Sequence, residues 1–145
     1  MCSSLLTEND KLLLDDLTSL MIRVRKNWQK TDEEVKNSLT PPKYLLLYLI
    51  YKNQKLTASE LGRQIGLSSG SITTAVNKLV NNHLISRKRD SRDRRVTWLE
   101  LTDEGKLLIE ENFNFRQELW LNLFENLSHS ERDQFRFLLN KLISN

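Results

Sequence analysis

The chain has little of the chemistry that stabilises extracellular or membrane proteins. It contains one cysteine, two prolines and four glycines in 145 residues. The lone Cys2 cannot form an intramolecular disulfide, which is typical of a reducing compartment. So little glycine and proline argues against loop-rich and all-β folds. The longest apolar run, Tyr44 to Tyr51, is shorter than the roughly 18 residues of a membrane span. With no signal peptide recognisable either, we expect a cytoplasmic, mainly helical protein.

The sequence also lacks the patterns that most enzymes carry. It has no phosphate-binding glycine loop, no nucleophile elbow and no His-x-x-x-His pair. The two histidines, His83 and His129, have no metal-ligand spacing to each other or to Cys2. We therefore predict no catalytic residue, no metal site and no cofactor.

Positive charge is concentrated in the middle of the chain. Between Lys52 and Arg95 ten residues are basic and three are acidic, a net charge of +7. The rest of the chain has 12 basic and 16 acidic residues, a net charge of −4. A basic segment inside an acidic chain is typical of a nucleic-acid-binding protein. Charge alone leaves a second interpretation open, an arginine-rich solvated loop.

Helical periodicity predicts long helices at both ends of the chain. The first runs from Leu5 to about Lys30, with Thr7 near its start. The segment Thr31–Glu34 has the form of a capping box and predicts a new turn or short helix. Another long helix follows Thr102 and runs to about Asn126, and a capping box at Ser128–Glu131 opens the last one.

Shorter elements are predicted between these helices. Thr40 and Pro41 suit the start of a helix, and Thr57–Glu60 is a capping box that opens a second. The turn Gly66–Ser68 leads into a third helix that ends near His83. Two strands follow, at residues 86–90 and 96–101, and a polar hairpin tip joins them.

This order of elements predicts a helix-turn-helix followed by a basic wing. A bracing helix supports a second helix that can enter a major groove about 12 Å wide. The outward face of that second helix is rich in small hydrogen-bonding residues and has one lysine, which suits base edges and phosphates. The candidate DNA-binding residues on it are Ser69, Ser71, Thr73, Thr74, Asn77 and Lys78. A solvated helix with N-terminal serines is the alternative for this face taken alone.

Several segments of this region resemble the MarR family of winged helix-turn-helix transcriptional regulators. They are Leu56–Leu61, Leu67–Thr73, Asn77–Leu79 and His83–Ile85 in the helices, and Asp90–Arg95 and Leu101–Gly105 at and after the hairpin. The hairpin joined to the Leu-Thr-Asp-Glu-Gly segment is the most specific part. Order and spacing agree from about Thr40 to Gly105, whereas the flanking segments agree only in being helical and apolar.

The resemblance implies a mainly α (α+β) fold with a two-stranded wing and long N- and C-terminal dimerisation helices. The DNA-binding lobe would comprise residues 36–105, and the dimerisation region residues 1–35 and 106–145. A homodimer of repressor type would place its recognition helices, about Ser69–Asn81, in successive major grooves of an inverted-repeat site in double-stranded DNA. Arg94 would reach the minor groove, Arg92 a phosphate, and Asp93 with Arg95 would shape the wing.

Two features depart from the family's pattern. His83 stands where a glycine is usual after the recognition helix, but histidine tolerates left-handed backbone better than most residues. The recognition helix also lacks the arginines that many relatives place near Ser69 and Thr74, which leaves the preferred sequence open because arginine–guanine pairs are the commonest specific contact.

Two further interpretations belong to this resemblance. Relatives often bind a small aromatic or phenolic effector, and Arg25, Trp28, Tyr44 and Tyr48 are candidates to line such a pocket; the alternative is that these aromatics belong to the core or the dimer interface. The rival function is a winged-helix module that binds protein without DNA specificity. The arginine-rich hairpin argues against that rival, because such modules usually lack a basic wing.

Overall fold

The computed structural model describes residues 6–34 and 39–144 of the chain, so Cys2 lies outside the described residues. Within them the elements run in the order α1 (Glu8–Glu34), α2 (Pro41–Asn53), β1 (Lys55–Leu56), α3 (Ala58–Ile65), α4 (Ser69–Asn81), β2 (Ile85–Arg89), β3 (Thr97–Leu101), α5 (Asp103–Leu123) and α6 (His129–Ile143). The predicted fold class is confirmed: the protein is mainly helical with one small sheet.

The chain divides into two compact units, Met1–Asn112 and Phe113–Asn145, so the boundary falls inside α5. In the first unit the core is apolar and lies among α2, α3, α4, the sheet and the start of α5. Its most buried side chains are Leu47, Ile50, Leu61, Leu79, Ile85, Leu99 and Ile109. In the second unit aromatic rings pack on one another: the Phe124 ring lies 6.0 Å from Trp120 and 5.7 Å from Phe135.

The sheet has three antiparallel strands in the order β1-β3-β2. β2 and β3 form the predicted two-stranded hairpin, with Arg87 opposite Leu99. The first strand was not predicted. It pairs only Lys55 with Glu100 and Leu56 with Leu99, and two residues are too few to show the alternation that marks a strand in a sequence.

The helix starts were largely predictable from side-chain caps. Thr57 and Glu60 form a reciprocal capping box at α3, and Ser128 and Glu131 form one at α6. The expectation of a new start at Thr31–Glu34 was wrong, because α1 continues without a break to Glu34. No glycine or proline interrupts that segment, and extending an existing helix is far easier than nucleating another one.

Two tight turns set the direction of α4, the predicted recognition helix. Gly66 has φ 76°, a left-handed conformation that glycine adopts without steric penalty, and it ends α3. Ser68 then caps α4 by accepting from the Ser71 N–H at 3.2 Å. At the far end His83 has φ 58°, as predicted. The N–H of His83 donates to Val80 O at 2.9 Å and that of Leu84 to Leu79 O at 3.0 Å, the Schellman pattern.

Thr102 ties the start of α5 to this turn. Its hydroxyl donates to the His83 carbonyl at 2.6 Å, and its N–H donates to the Leu84 carbonyl at 3.1 Å. The same hydroxyl oxygen accepts from the Gly105 N–H at 3.0 Å, so it also caps the helix. One threonine therefore fixes α5 against the end of α4.

The two terminal helices carry exposed apolar side chains, each within its own unit. On α1 they include Leu12, Leu13, Leu14, Leu17, Met21 and Ile22; on α6 they include Phe137, Leu138, Leu139, Leu142 and Ile143. Among the described residues, no helix is long and apolar enough to span a membrane.

Candidate nucleic-acid interface

Helix α4 has one buried face and one exposed polar face. Ile72, Val76 and Leu79 are buried and fix the helix on the core. On the opposite side all six predicted DNA-binding residues are exposed: Ser69, Ser71, Thr73, Thr74, Asn77 and Lys78. The apolar residues recur at helical spacing, which is why the polar ones share the outward face.

The hydroxyl groups on this face are already oriented by the helix. Thr73 Oγ1 donates to the Ser69 carbonyl at 2.7 Å, and Thr74 Oγ1 donates to the Gly70 carbonyl at 3.1 Å. Bonds of this kind bring the hydroxyl oxygens close to the helix surface, where their lone pairs remain available as acceptors. To donate to DNA, each threonine hydroxyl must first break its bond to the carbonyl four residues earlier.

Asn77 is joined to the wing. The guanidinium Nη2 of Arg87, on β2, donates to Asn77 Oδ1 at 2.6 Å, and both side chains are exposed. The sequence did not single out Arg87, because a contact between a helix and a strand ten residues later depends on how the two elements pack.

The tip of the wing is organised by Asp90. Its Oδ1 accepts from the N–H groups of Arg92 at 2.8 Å and Asp93 at 3.0 Å, while Oδ2 accepts from the Trp98 indole N–H at 2.8 Å. These bonds favour the carboxylate, with that from Trp98 foremost, and they lower the pKa of Asp90 to about 2. Lys55 in turn lies 4.6 Å from the centre of the Trp98 ring. Asp90 was also missed, although an aspartate that opens a polar turn is a recognisable Asx motif.

The predicted wing-shaping pair is in contact. Arg95 donates from Nε to Asp93 Oδ1 at 3.0 Å and from Nη2 to Asp93 Oδ2 at 3.1 Å, a bidentate arrangement. These bonds, with one from the Arg95 N–H, lower the pKa of Asp93. Arg92 and Arg94 are exposed at the same tip. In the described part of the chain, no side-chain hydrogen bond or ion pair occupies the Arg94 guanidinium.

Two more basic residues lie beside the predicted ones. Lys43 of α2 lines the same groove as Ser71, Thr74 and Lys78 of α4, so it adds positive charge next to the recognition helix. Lys88 on β2 instead pairs with Glu100 of β3, which reduces its attraction for a phosphate. Lys43 was not among the predicted residues, because it lies far from α4 in sequence.

The four candidate effector residues do not share one environment. Trp28 meets Tyr44 edge to face at 5.5 Å between ring centroids, and Tyr44 stacks on Tyr48 at 5.9 Å. Both tyrosines pack against the core. Arg25, one turn before Trp28 on α1, is exposed. Across the described ranges, no cluster of His, Cys, Asp or Glu has a metal-binding arrangement.

A helix with one buried face, braced by a second helix and followed by a basic two-stranded hairpin, defines a winged helix-turn-helix DNA-binding protein. Comparison with known proteins gives the same class. A model described as the MarR family matches residues 39–97. The HTH-type transcriptional regulator YsmB of Bacillus subtilis is 31% identical over 105 residues, which cover 72% of each protein. YwhA, another such regulator of B. subtilis, is 29% identical over 141 residues, 93% of this chain and 98% of that protein.

A solved structure extends this likeness to the whole fold. A MarR family protein from Bacillus stearothermophilus has a TM-score of 0.79 with 25% identity and covers 96% of both chains. The chain therefore belongs to the MarR family. It is a DNA-binding transcriptional regulator, and its family consists of regulators rather than enzymes. The alternative, a winged-helix module that binds protein, is not favoured.

The Asp90 network leads to a prediction on pH. Because folding lowers the pKa of this carboxyl, its contribution to wing order is present above the unfolded value near 3.8 and is lost as pH falls toward about 2. At pH 4, where an ordinary aspartate is close to half protonated, Asp90 should remain ionised and the Trp98 indole N–H should keep its neutral-pH chemical shift. Asp90→Asn should shift that resonance at every pH and accelerate hydrogen exchange at residues 91–95.

Two controls make this pH test specific. Asp133→Asn removes an exposed carboxylate of α6 and should leave the Trp98 resonance unchanged. Trp98→Phe identifies the resonance among the three tryptophans. An indole signal that titrates with a midpoint near 3.8 would contradict the assignment of Asp90 as the carboxylate that orders the wing.

Proposed function

We propose that this protein is a repressor that binds an inverted-repeat DNA site as a homodimer, with α4 in the major groove and the wing at the minor groove. The observation that carries the proposal is a continuous exposed surface, formed by the polar face of α4 and the wing arginines. Arg87 and Asn77 connect its two parts at 2.6 Å. A surface of hydrogen-bonding side chains flanked by guanidinium groups matches base edges flanked by phosphates.

The exposed residues divide into three roles. Ser69, Ser71, Thr73, Thr74 and Asn77 face base edges or the sugar-phosphate backbone beside them. Lys78 and Arg92 contact phosphates, where a long flexible cation needs no particular base. Arg94 enters the minor groove, and Asp93 and Arg95 hold the wing that carries it.

The terminal helices support dimerisation. Helices α1 and α6 each expose several large apolar side chains, among them Leu13 and Leu17 on α1 and Leu138 and Leu142 on α6. Exposed apolar side chains clustered on one helix are typical of an interaction site. A second copy of the chain is the partner that the two-fold symmetry of an inverted repeat requires. Residues 1–35 and 106–145 are accordingly the proposed dimerisation region, and residues 36–105 the proposed DNA-binding lobe.

In this proposal the dimer represses transcription by occupying its DNA site. A dimer with half-sites about 10 bp apart covers roughly two turns of duplex and excludes other proteins from that face. Its place of action is the cytoplasm, where bacterial DNA is accessible.

An effector site belongs to the same proposal. Arg25 and Trp28 lie three residues apart on α1, so an exposed guanidinium group and the half-buried ring that contacts Tyr44 fall within one turn of the same helix. Tyr48 continues the aromatic surface. A small aromatic or phenolic anion fits this combination, through ring contacts and one charge-assisted bond. Quenching of tryptophan fluorescence by benzoate, lost in Arg25→Ala, is the corresponding measurement.

Selection of bound sequences from random duplex DNA tests the central proposal. We expect an inverted repeat with half-site centres about 10 bp apart, and sedimentation at about twice the 17.1 kDa of one chain. Lys78→Ala and Arg92→Ala should weaken binding to all sequences alike and reduce the salt slope by roughly one per half-site. Arg136→Ala, an exposed arginine of α6, is the control that should keep the slope. A monomer that binds a single unrepeated site tightly would contradict the proposal.

A further inference from the structure

The contact between Asn77 and Arg87 restricts what the asparagine can offer to DNA. An asparagine amide has one oxygen that accepts and one nitrogen that donates, whereas a guanidinium group only donates. The group that faces Arg87 must therefore be the oxygen, as the 2.6 Å distance from Nη2 to Oδ1 has it. The chemistry of the pair fixes the orientation of the amide without reference to hydrogen positions.

The amide nitrogen is the group that remains. Within residues 6–34 and 39–144, no protein atom accepts a hydrogen bond from Asn77 Nδ2, and the side chain is exposed on the outward face of α4. Among the same residues no carboxylate competes for Arg87, since the ion pair on β2 is made by its neighbour Lys88. The pair therefore presents a donor from Asn77 and the remaining donors of Arg87.

We propose that Arg87 is a positioning residue that turns the amide nitrogen of Asn77 toward DNA as a donor, so that Asn77 selects a keto base, guanine or thymine, over adenine. Adenine is usually recognised by asparagine through two bonds, one accepted from N6–H₂ and one donated to N7. The first of these needs the Asn77 oxygen, where Arg87 already fills one of the two lone pairs and its positive charge disfavours a second donor at the other. Adenine N7 can still accept from Nδ2, but the adjacent N6–H₂ then faces only donors of the pair, whereas guanine N7 and O6 and thymine O4 offer acceptors and no donor at that edge. This inference rests on the proposed placement of α4 in the major groove.

The experiment compares base preferences rather than overall affinity. The wild-type protein and its Arg87→Ala variant are each used to select sites from random duplex DNA, and affinities are then measured for duplexes with all four bases at each half-site position. We expect one symmetric position at which wild type prefers guanine or thymine. In Arg87→Ala the freed oxygen allows the bidentate bond, and the preference at that position should shift toward adenine by about fivefold or more.

Two further variants separate positioning from simple charge. Arg89→Ala removes the same charge from an exposed site on the same strand, so it should weaken all sequences and leave the base preference unchanged. Asn77→Ala should flatten the preference at the position that Arg87→Ala alters, and adding Arg87→Ala to it should produce no further change in preference.

The outcomes distinguish this inference from the proposed function. If wild type selects no symmetric site, the proposed function fails. If wild type selects one but Arg87→Ala behaves like Arg89→Ala, the proposed function stands and the positioning role of Arg87 is overturned. A wild-type preference for adenine at the position that Asn77→Ala flattens would overturn it equally.

Discussion

Gly105→Ala is expected to destabilise the winged helix-turn-helix fold by at least about 3 kcal/mol, a large part of the stability of a small domain. A Cβ atom on Gly105 would lie 2.0 Å from the carbonyl oxygen of Leu84 and 3.0 Å from its carbonyl carbon. Both are backbone atoms, so no side chain can rotate to relieve the clash. Overpacking of this kind usually costs 1–3 kcal/mol, and more where the neighbour is held in place.

Leu84 is held in place from two sides. Its carbonyl accepts from the Thr102 N–H at 3.1 Å, and its own N–H donates to the Leu79 carbonyl at 3.0 Å. Moving Leu84 away from α5 would therefore break the Schellman turn that ends α4, or the bond from Thr102 that ties the start of α5 to this turn. Because these bonds link α4 to α5, Gly105→Ala should also abolish DNA binding at temperatures where wild type binds.

Gly70 provides a matched control for this substitution. It also lies in a helix, but a Cβ there would meet no atom within 4 Å. Alanine is the better helix former by ~1 kcal/mol, so Gly70→Ala should be neutral or slightly stabilising. Urea denaturation of both variants, monitored by circular dichroism, measures the difference in their free energies of unfolding. A Gly105→Ala protein as stable as wild type would show that the close approach of α5 to Leu84 is not required.

The predictability of this fold depended on whether a feature was local. The bounds of α4 were predictable because Ser68 caps one end and the left-handed His83 follows the other, and both act on adjacent backbone. The strand β1 was not predictable, because its two residues form a strand only when β3 lies alongside. The length of α1 was mispredicted because a capping-box pattern at Thr31–Glu34 does not break a helix that has no reason to stop.

The same distinction applies to the candidate site. Which residues of α4 face outward follows from helical spacing, so all six candidates were placed on the exposed face. Their partners did not follow, because Arg87 meets Asn77 only through the packing of β2 on α4. Asp90 stands between these cases: its bonds to the backbone of Arg92 and Asp93 are local, but the bond to Trp98 crosses the hairpin.

Arg94→Ala is expected to reduce affinity for specific DNA at least tenfold, with stability and dimerisation unchanged. Arg94 is exposed at the wing tip, where a side chain contributes little to folding. A narrow minor groove over A·T-rich steps has enhanced negative potential that attracts arginine. A hydrogen bond to a charged group contributes about 1.5–3 kcal/mol, and a dimer loses two such contacts, so tenfold (~1.4 kcal/mol) is a lower bound.

Asp93→Ala tests whether the orientation of the wing matters separately from the arginine itself. Without Asp93 the bidentate bonds to Arg95 are lost, at 3.0 and 3.1 Å, while Arg94 remains. We expect weaker DNA binding than wild type, together with faster proteolysis between residues 90 and 96. Arg94→Ala should show the loss of affinity without the faster cleavage, because the Asp90 and Asp93 bonds that order its wing are intact.

The comparison of these two variants decides how the wing contributes to binding. Thermal unfolding, sedimentation, limited proteolysis and DNA affinity are measured on wild type, Arg94→Ala and Asp93→Ala, with A·T-rich and G·C-rich duplexes flanking the same half-sites. The loss in Arg94→Ala should be larger on the A·T-rich duplex, since only a narrow minor groove concentrates the potential that attracts the guanidinium. An equal loss on both duplexes would place Arg94 on a phosphate instead. Unchanged affinity would remove the wing from the interface and leave α4 as the DNA-binding element of the lobe.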